Sequence, residues 1–196
     1  MENKLQKKNL ILVDADGVLF DWEWGFDRFM KSRGYEVRPG NEDEYLMHLR
    51  YTCDNDTARR LIKEFNESPA IAFLPPLRDA VEYVRRLHNE GWKFHCITSL
   101  SSLDSAYDIR KKALDREFGP GVISELTCLP TGADKDRALE PYRDSDLWWV
   151  EDKPENADVG YNMGLRSILM QHGHNQDHEC PYPTVKNWQE IYALIS

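Results

Sequence analysis

A buried strand that ends on two aspartates is the feature of this sequence that most constrains its fold. The apolar run NLILV at residues 9–13 is followed directly by Asp14, Ala15, Asp16 and Gly17. Successive apolar residues are typical of a strand covered on both faces, as the strands of parallel sheets are. Two neighbouring carboxylates at the end of such a strand would repel each other and lose hydration unless a cation compensates for them. The stretch therefore predicts a parallel sheet with a charged site at one edge.

Further apolar runs alternate with helical segments, which indicates an α/β fold. The predicted strands lie at residues 92–99, 122–129, 146–152 and 165–170, and the predicted helices at 77–90, 104–118 and 187–195. Residues 22–75 differ, since they are rich in charged and aromatic side chains, with helical stretches at 42–51 and 56–65 and no evident strand. We therefore predict a core of residues 1–21 and 76–196 and a small helical insert of residues 22–75.

Composition narrows the classes of function. The 196 residues carry a formal net charge of -9, so binding of a nucleic-acid polymer through a basic face is not expected. We expect no membrane association, because no apolar run reaches the roughly 20 residues that a membrane-spanning helix needs. The four cysteines are scattered without a C-x-x-C pair, which favours a reducing, cytoplasmic setting. We expect a monomer or a homodimer.

Polar side chains fall at or just beyond the carboxyl ends of several predicted strands, where open α/β sheets bind ligands. They are Asp14 with Asp16, Thr98 with Ser99, Lys135, and Glu151 with Asp152. Parallel strands would bring all of them to one edge of the sheet. Oxygen ligands without histidine or cysteine suit Mg²⁺. A lysine and two hydroxyl groups beside such a metal suit a phosphate group. The sequence therefore predicts a site for Mg²⁺ and a small phosphate-containing ligand.

These four groups resemble the four motifs of the haloacid dehalogenase (HAD) superfamily. The stretch DADGVLFD resembles the first motif, D-x-D-G-[VT]-[LI], and FHCITS resembles the second. Lys135 in GADKDRA resembles the third motif, and LWWVEDKPENA resembles the fourth. The resemblance implies a three-layer Rossmann-like core with a parallel sheet, and it identifies the insert after the first strand as a type-1 cap.

The resemblance also implies a reaction, the hydrolysis of a phosphomonoester. Asp14 would attack phosphorus and form an aspartyl-phosphate, and Asp16 would protonate the leaving oxygen and later deprotonate water. Asp14, the main-chain carbonyl of Asp16 and Asp152 would hold Mg²⁺, with Glu151 as a direct or water-mediated helper. A non-catalytic phosphate- and metal-binding module is the alternative from another class, and the presence of both aspartates disfavours it.

The resemblance further implies that Thr98, Ser99 and Lys135 bind the phosphate. One group of similar shape is the 5'(3')-deoxyribonucleotidases, which the stretches DGVLFDW, CITS and SPAIAFLPPLRDAVEYV resemble. The resemblance implies a nucleoside (deoxy)monophosphate as substrate. Trp22 falls where that group places an aromatic residue beside the substrate, so it would stack on a base or pack between cap and core. A sugar phosphate or another small phosphomonoester is the alternative substrate.

Two further sets of residues carry expectations of their own. His172, His174, His178 and Cys180 could hold Zn²⁺, although their spacing fits no standard structural zinc site, and the alternative is a polar loop near the rim of the site. Four aromatic residues are expected to pack in the core. They are Trp24, Phe26, Trp148 and Trp149.

Overall fold

A computed structural model of the chain describes residues 9–196, and residues 1–8 of the predicted core lie outside this range. Six strands form one sheet, in which every neighbouring pair is parallel and the order is β3-β2-β1-β4-β5-β6. The strands are β1 Leu10–Val13, β2 Lys93–Thr98, β3 Ile123–Cys128, β4 Trp148–Glu151, β5 Arg166–Met170 and β6 Thr184–Val185. The predicted α/β fold class is confirmed, and only the two-residue strand β6 was missed.

Helices cover both faces of this sheet. They are α1 Trp22–Ser32, α2 Met47–Arg50, α3 Asn55–Asn66, α4 Ala80–Asn89, α5 Asp104–Phe118, α6 Asp136–Leu139, α7 Pro154–Asn162 and α8 Trp188–Ile195. Short 3₁₀ segments lie at Pro69–Phe73, Glu140–Tyr142 and Gly173–Asn175. Alternate residues of β1 belong to different hydrophobic clusters, since Ile11 and Val13 pack with one and Leu12 with the other. This arrangement gives the three layers expected of the core. Within residues 9–196, no helix is long and apolar enough to cross a membrane.

The segment 22–75 contains α1, α2, α3 and the 3₁₀ segment Pro69–Phe73. The predicted helix at 42–51 is wrong in its first half, because only Met47–Arg50 is helical. Residues just before it form turns that approach the core, where a methyl group on Gly173 would lie 1.8 Å from Asp43 Oδ1. This tertiary contact outweighs the helical pattern of the sequence. The division into a core and a cap at residues 22 and 75 stays a prediction.

The predicted closing helix, α8, is attached to two distant segments. Its first residue, Trp188, is fully buried, and its backbone N–H donates to Asp79 Oδ1. The indole Nε1 of Trp188 donates to the main-chain oxygen of Val18 at 2.8 Å. Helix α8 therefore supports the loop that follows β1.

Candidate active site

The strand register brings the predicted groups to one edge of the sheet. Val13 at the end of β1 pairs with Cys96 of β2 on one side and with Val150 of β4 on the other. Asp14 continues this register, because its backbone N–H donates to the oxygen of Val150 at 2.9 Å. The side chains that follow the central strands therefore meet in one place, as the sequence predicted.

Three carboxylates form an acidic cluster at this edge. Asp14, Glu151 and Asp152 each place an oxygen within 4.8 Å of the others. Burial raises the pKa of Asp14 to about 7, although Lys135 acts in the opposite direction. Burial, followed by the charge of Asp14, raises the pKa of Asp152 to about 7. The raised pKa values mean that the surrounding protein does not fully balance the negative charges of the two carboxylates. The cluster therefore favours the binding of a cation.

Lys135 lies between two of these acids. Its Nζ is 2.8 Å from Asp14 Oδ2 and 2.7 Å from Glu151 Oε2, and the residue is 1% exposed. Burial disfavours its charge, but the two carboxylates outweigh burial and raise the pKa of Lys135 above its usual range. The ammonium group therefore stays charged beside Asp14, where a phosphate bound to that residue would also lie.

Glu151 uses both of its oxygens inside the protein. Oε2 accepts from Lys135, and Oε1 accepts from the backbone N–H groups of Asp152 and Lys153 at 3.1 Å each. These bonds hold Glu151 as a support for Lys135 and for the segment that carries Asp152. The role of Glu151 as a direct or water-mediated helper of the metal stays a prediction.

The two hydroxyl residues at the end of β2 differ in their bonding. Thr98 Oγ1 is buried and has no hydrogen-bond partner among the described residues, so it is free to bond to a ligand. Ser99 Oγ donates to the main-chain oxygen of Ala133 at 2.7 Å. A contribution of Ser99 to phosphate binding would therefore come from its backbone N–H.

Asp16 has a partner that was not predicted from the sequence. Arg110, on α5, places Nη2 2.7 Å from Asp16 Oδ1 and donates a hydrogen bond to Oδ2 at 2.9 Å. A signal for it existed, because Arg110 lies at helical spacing from the buried residues Ala106, Ala113 and Leu114. An arginine on the apolar face of a core helix indicates a buried ion pair.

Gly17 allows the loop after β1 to approach the acidic cluster. Its φ is +78°, and a methyl group at this position would lie 2.1 Å from Asp152 Oδ2. Its backbone N–H donates to the oxygen of Phe20 at 2.9 Å and so closes the turn. A side chain at residue 17 is therefore excluded both by the backbone and by Asp152.

The histidine-rich loop lies at the rim of this site. His172 Nε2 lies 2.7 Å from the oxygen of Gly17, and His174 Nε2 lies 3.9 Å from Asp152 Oδ2. His178 faces Asp158, and the thiol of Cys180 donates to the oxygen of Tyr182. No three of the four proposed zinc ligands come together in the range 9–196. The contacts match the alternative interpretation, a polar loop beside the active site.

Trp22, the proposed substrate platform, makes packing contacts. Its ring stacks on Phe26 with centroids 4.5 Å apart, and its Nε1 donates to Asn66 Oδ1 at 2.9 Å. A role in stacking on a base stays a prediction. Phe26 is fully buried as expected, whereas the expectation for Trp24 was wrong, because it is 46% exposed at the start of α1 and has Arg28 over its ring.

Trp148 and Trp149 pack in the sheet, as the sequence predicted. Trp149 is fully buried in β4, and its Nε1 donates to the oxygen of Asn156. Trp148 is partly buried and packs against the larger cluster, with Arg166 over its ring. Neither tryptophan is available to a ligand at the edge that holds the acidic cluster.

Comparison with solved structures identifies the fold. A haloacid dehalogenase-like hydrolase from Streptococcus pneumoniae superposes with a TM-score of 0.67 at 11% identity, covering 96% of this chain and 98% of the other. CbbY from Rhodobacter sphaeroides, in complex with phosphate, superposes with a TM-score of 0.60 at 14% identity, covering 93% and 96%. At these identities the comparison establishes a shared fold.

Comparison of sequences identifies the family. An uncharacterized 32.4 kDa protein from the Gp30–rIII intergenic region of Enterobacteria phage T4 is 25% identical over 160 residues. The match covers 77% of this chain but only 56% of the phage protein, so the chain spans little more than half of that relative. The model of the 5' nucleotidase, deoxy (pyrimidine), cytosolic type C protein family matches residues 8–196. This match confirms the predicted resemblance, and the chain belongs to that nucleotidase family within the HAD fold.

Proposed function

We propose that the protein is a Mg²⁺-dependent phosphomonoester hydrolase that acts through an aspartyl-phosphate. The observation that carries the proposal is the position of Asp14, whose carboxylate lies 2.8 Å from buried Lys135 and within the acidic cluster. A nucleophilic carboxylate needs a neighbouring cation to attract the anionic phosphate, and both a lysine and the means to bind a metal are present here.

The reaction consists of two transfers of the phosphoryl group. An oxygen of Asp14 forms a bond to phosphorus while the bond to the leaving oxygen breaks, and the carboxyl group of Asp16 gives its proton to that oxygen. Water then attacks the phosphorus, and Asp16 takes a proton from this water as the bond to Asp14 breaks. Inorganic phosphate leaves, and Asp14 and Asp16 return to their initial states.

The residues fit Mg²⁺ because the acidic cluster offers only oxygen atoms and is incompletely compensated by Lys135. Asp14, Asp152 and the main-chain carbonyl of Asp16 would hold the ion, with Glu151 supporting them. When bound, Mg²⁺ neutralises charge on the phosphoryl group and helps to orient it. Lys135 and Thr98 would bind the phosphate oxygens, and the unpartnered hydroxyl of Thr98 supports this role.

The favoured substrate is a nucleoside monophosphate or its deoxy form. The match to the nucleotidase family supports this choice. A sugar phosphate or another small phosphomonoester is the second candidate. We also propose a cytoplasmic location, which the four free cysteines support.

A panel of phosphomonoesters, with released phosphate measured in the presence and absence of Mg²⁺, tests this function. We expect hydrolysis only with Mg²⁺ and faster turnover of deoxynucleotides than of sugar phosphates. Asp14→Asn should abolish turnover, while Asp108→Asn, at an exposed site on α5, should leave it unchanged. Appreciable activity in Asp14→Asn would contradict the mechanism. Binding without turnover of any phosphomonoester would favour a non-catalytic module, and equal rates across the panel would remove the nucleotide assignment.

A further inference from the structure

Arg110 is an unusual residue to find inside the core. It is 0% exposed, and it lies in the middle of α5 on the face that packs against the sheet. Its Nε and Nη1 are buried without a hydrogen-bond partner among the described residues, so its hydrogen bonding is confined to Nη2. A buried guanidinium with unused donors is unfavourable compared with an apolar residue of similar volume. Stability alone therefore gives no reason for an arginine at this position.

Among residues 9–196, the one ion pair that Arg110 makes is to the proposed proton-transfer group. Nη2 contacts both oxygens of Asp16, at 2.7 and 2.9 Å. The Asp16 side chain is 19% exposed, so it is held from the inside by Arg110 while it keeps access to the site. The contact restrains the rotation of the carboxylate but leaves part of it open to a substrate.

Arg110 makes a second contact to the same loop. Its guanidinium lies over the ring of Phe20, with the carbon Cζ 5.2 Å from the ring centroid. Phe20 accepts the hydrogen bond from Gly17 that closes the turn after Asp16. Phe118, the last residue of α5, packs edge-on against the same ring, with centroids 5.8 Å apart. Helix α5 therefore fixes both the side chain of Asp16 and the turn that carries it.

The same strand–helix unit supplies part of the phosphate site. Thr98 ends β2, Ser99 follows it directly, and α5 is the next helix in the chain. Displacement of α5 would therefore change the position of Asp16 relative to Thr98 and Ser99, which are proposed to bind the phosphate. A proton-transfer group must lie within hydrogen-bond reach of the leaving oxygen, so this distance decides whether the group acts.

We infer that Arg110 is a positioning residue that aims the carboxyl group of Asp16 at the leaving-group oxygen. The inference rests on the proposed phosphatase function. Arg110 itself does not touch the substrate, because it is fully buried behind Asp16. Its removal leaves Asp14, Lys135 and the acidic cluster in place, so attack on phosphorus continues while proton delivery becomes inaccurate.

The test compares substrates whose leaving groups differ in their need for a proton. A nitrophenolate leaves readily without one, whereas the alkoxide of an alkyl phosphate or nucleoside monophosphate does not. In Arg110→Met, we expect kcat/KM for the alkyl phosphate to fall about 10- to 100-fold, since general acid catalysis contributes about 10²–10⁴-fold and small misplacements remove much of it. For p-nitrophenyl phosphate we expect a fall within about threefold. Lys111→Met, at the next position of the helix, should change neither substrate.

Two further variants protect the test from effects on folding. Arg110→Lys keeps a charge at the site, so it should fold even where the methionine variant does not, and it should show a smaller change of the same selective kind. In an Asp16→Asn background, Arg110→Met should leave the ratio between the two substrates unchanged, because the group that it positions is absent. Melting temperatures and circular dichroism spectra establish that the compared variants are folded.

The outcomes separate this inference from the proposed function. A selective loss on the alkyl phosphate that disappears in the Asp16→Asn background supports the inference. An equal loss on both substrates, no loss on either, or the same selective loss in both backgrounds overturns it. If the unaltered protein hydrolyses neither substrate with Mg²⁺, both the phosphatase function and the role of Arg110 are refuted.

Discussion

Without a bound cation, the stability of this protein should fall as the pH rises through the acid range. Asp14 and Asp152 both have a pKa of about 7 in the fold, compared with a usual value of 3.8, chiefly because of burial. Between these two values the folded state holds protons that the unfolded state has lost. The contribution of these two carboxylates to the free energy of unfolding is therefore highest below pH 4. It decreases as the pH rises toward 7.

The size of the effect follows from the shift. One carboxylate displaced by about three pKa units contributes on the order of 4 kcal/mol at full ionisation, at about 1.4 kcal/mol per unit. The proposed Mg²⁺ would act in the opposite direction, because it would bind the ionised carboxylates. At 100 times its dissociation constant, Mg²⁺ should restore about 2.7 kcal/mol.

Urea unfolding at pH 5 and pH 8, in EDTA and in Mg²⁺, measures both quantities. Other groups also titrate in this range, so the informative value is the difference between the unaltered protein and Asp152→Asn. In EDTA, the decrease in stability from pH 5 to pH 8 should be smaller in this variant by about 1–4 kcal/mol. The exposed-site variant Asp108→Asn should behave like the unaltered protein. The reasoning fails if Asp152→Asn shows the full decrease, or if Mg²⁺ stabilises the protein equally at both pH values.

Two other predictions concern the surroundings of the cluster. Gly17→Ala should weaken Mg²⁺ binding, measured by calorimetry, by about 10- to 100-fold, because its methyl group displaces Asp152. Gly40→Ala is the matched control, since Gly40 also has a positive φ but has nothing within 4 Å, and equal weakening in both variants would contradict the steric explanation. Trp22→Phe should lower the free energy of unfolding by about 1–3 kcal/mol in urea, because it removes the donor to buried Asn66. A decrease in the free energy of unfolding within about 0.5 kcal/mol would show that the hydrogen bond between Trp22 and Asn66 does not stabilise the fold.

The grouping of polar residues at one edge of the sheet was predictable, because several of them come at the ends of apolar strands. Asp14 ends one such run and Glu151 ends another, and parallel pairing of the strands is enough to bring them together. Lys135 lies seven residues beyond the end of β3, so the strand pattern only suggested it, and the resemblance to a family motif gave it a role. Its contacts with Asp14 and Glu151 are consistent with the predicted role.

The features that were missed depend on contacts between distant segments. Residues 42–46 read as part of a helix, but the approach of Asp43 to Gly173 replaces helix with turns. Arg110 stands beside Lys111 and Lys112, and its helical spacing from buried residues indicates burial but identifies no partner. Its ion pair joins residues 94 positions apart, and no local pattern encodes such a pairing.

The bond between Trp188 and Val18 also has a consequence for the order in which the protein becomes functional during synthesis. It joins residues 170 positions apart, across almost the whole chain. At about 5–20 residues per second, a ribosome needs roughly 10–30 s to make that interval. Throughout this time the loop with Asp14 and Asp16 exists without the helix that supports it. A nascent chain that stalls before residue 188 would carry both aspartates but would lack this support for the loop that holds them.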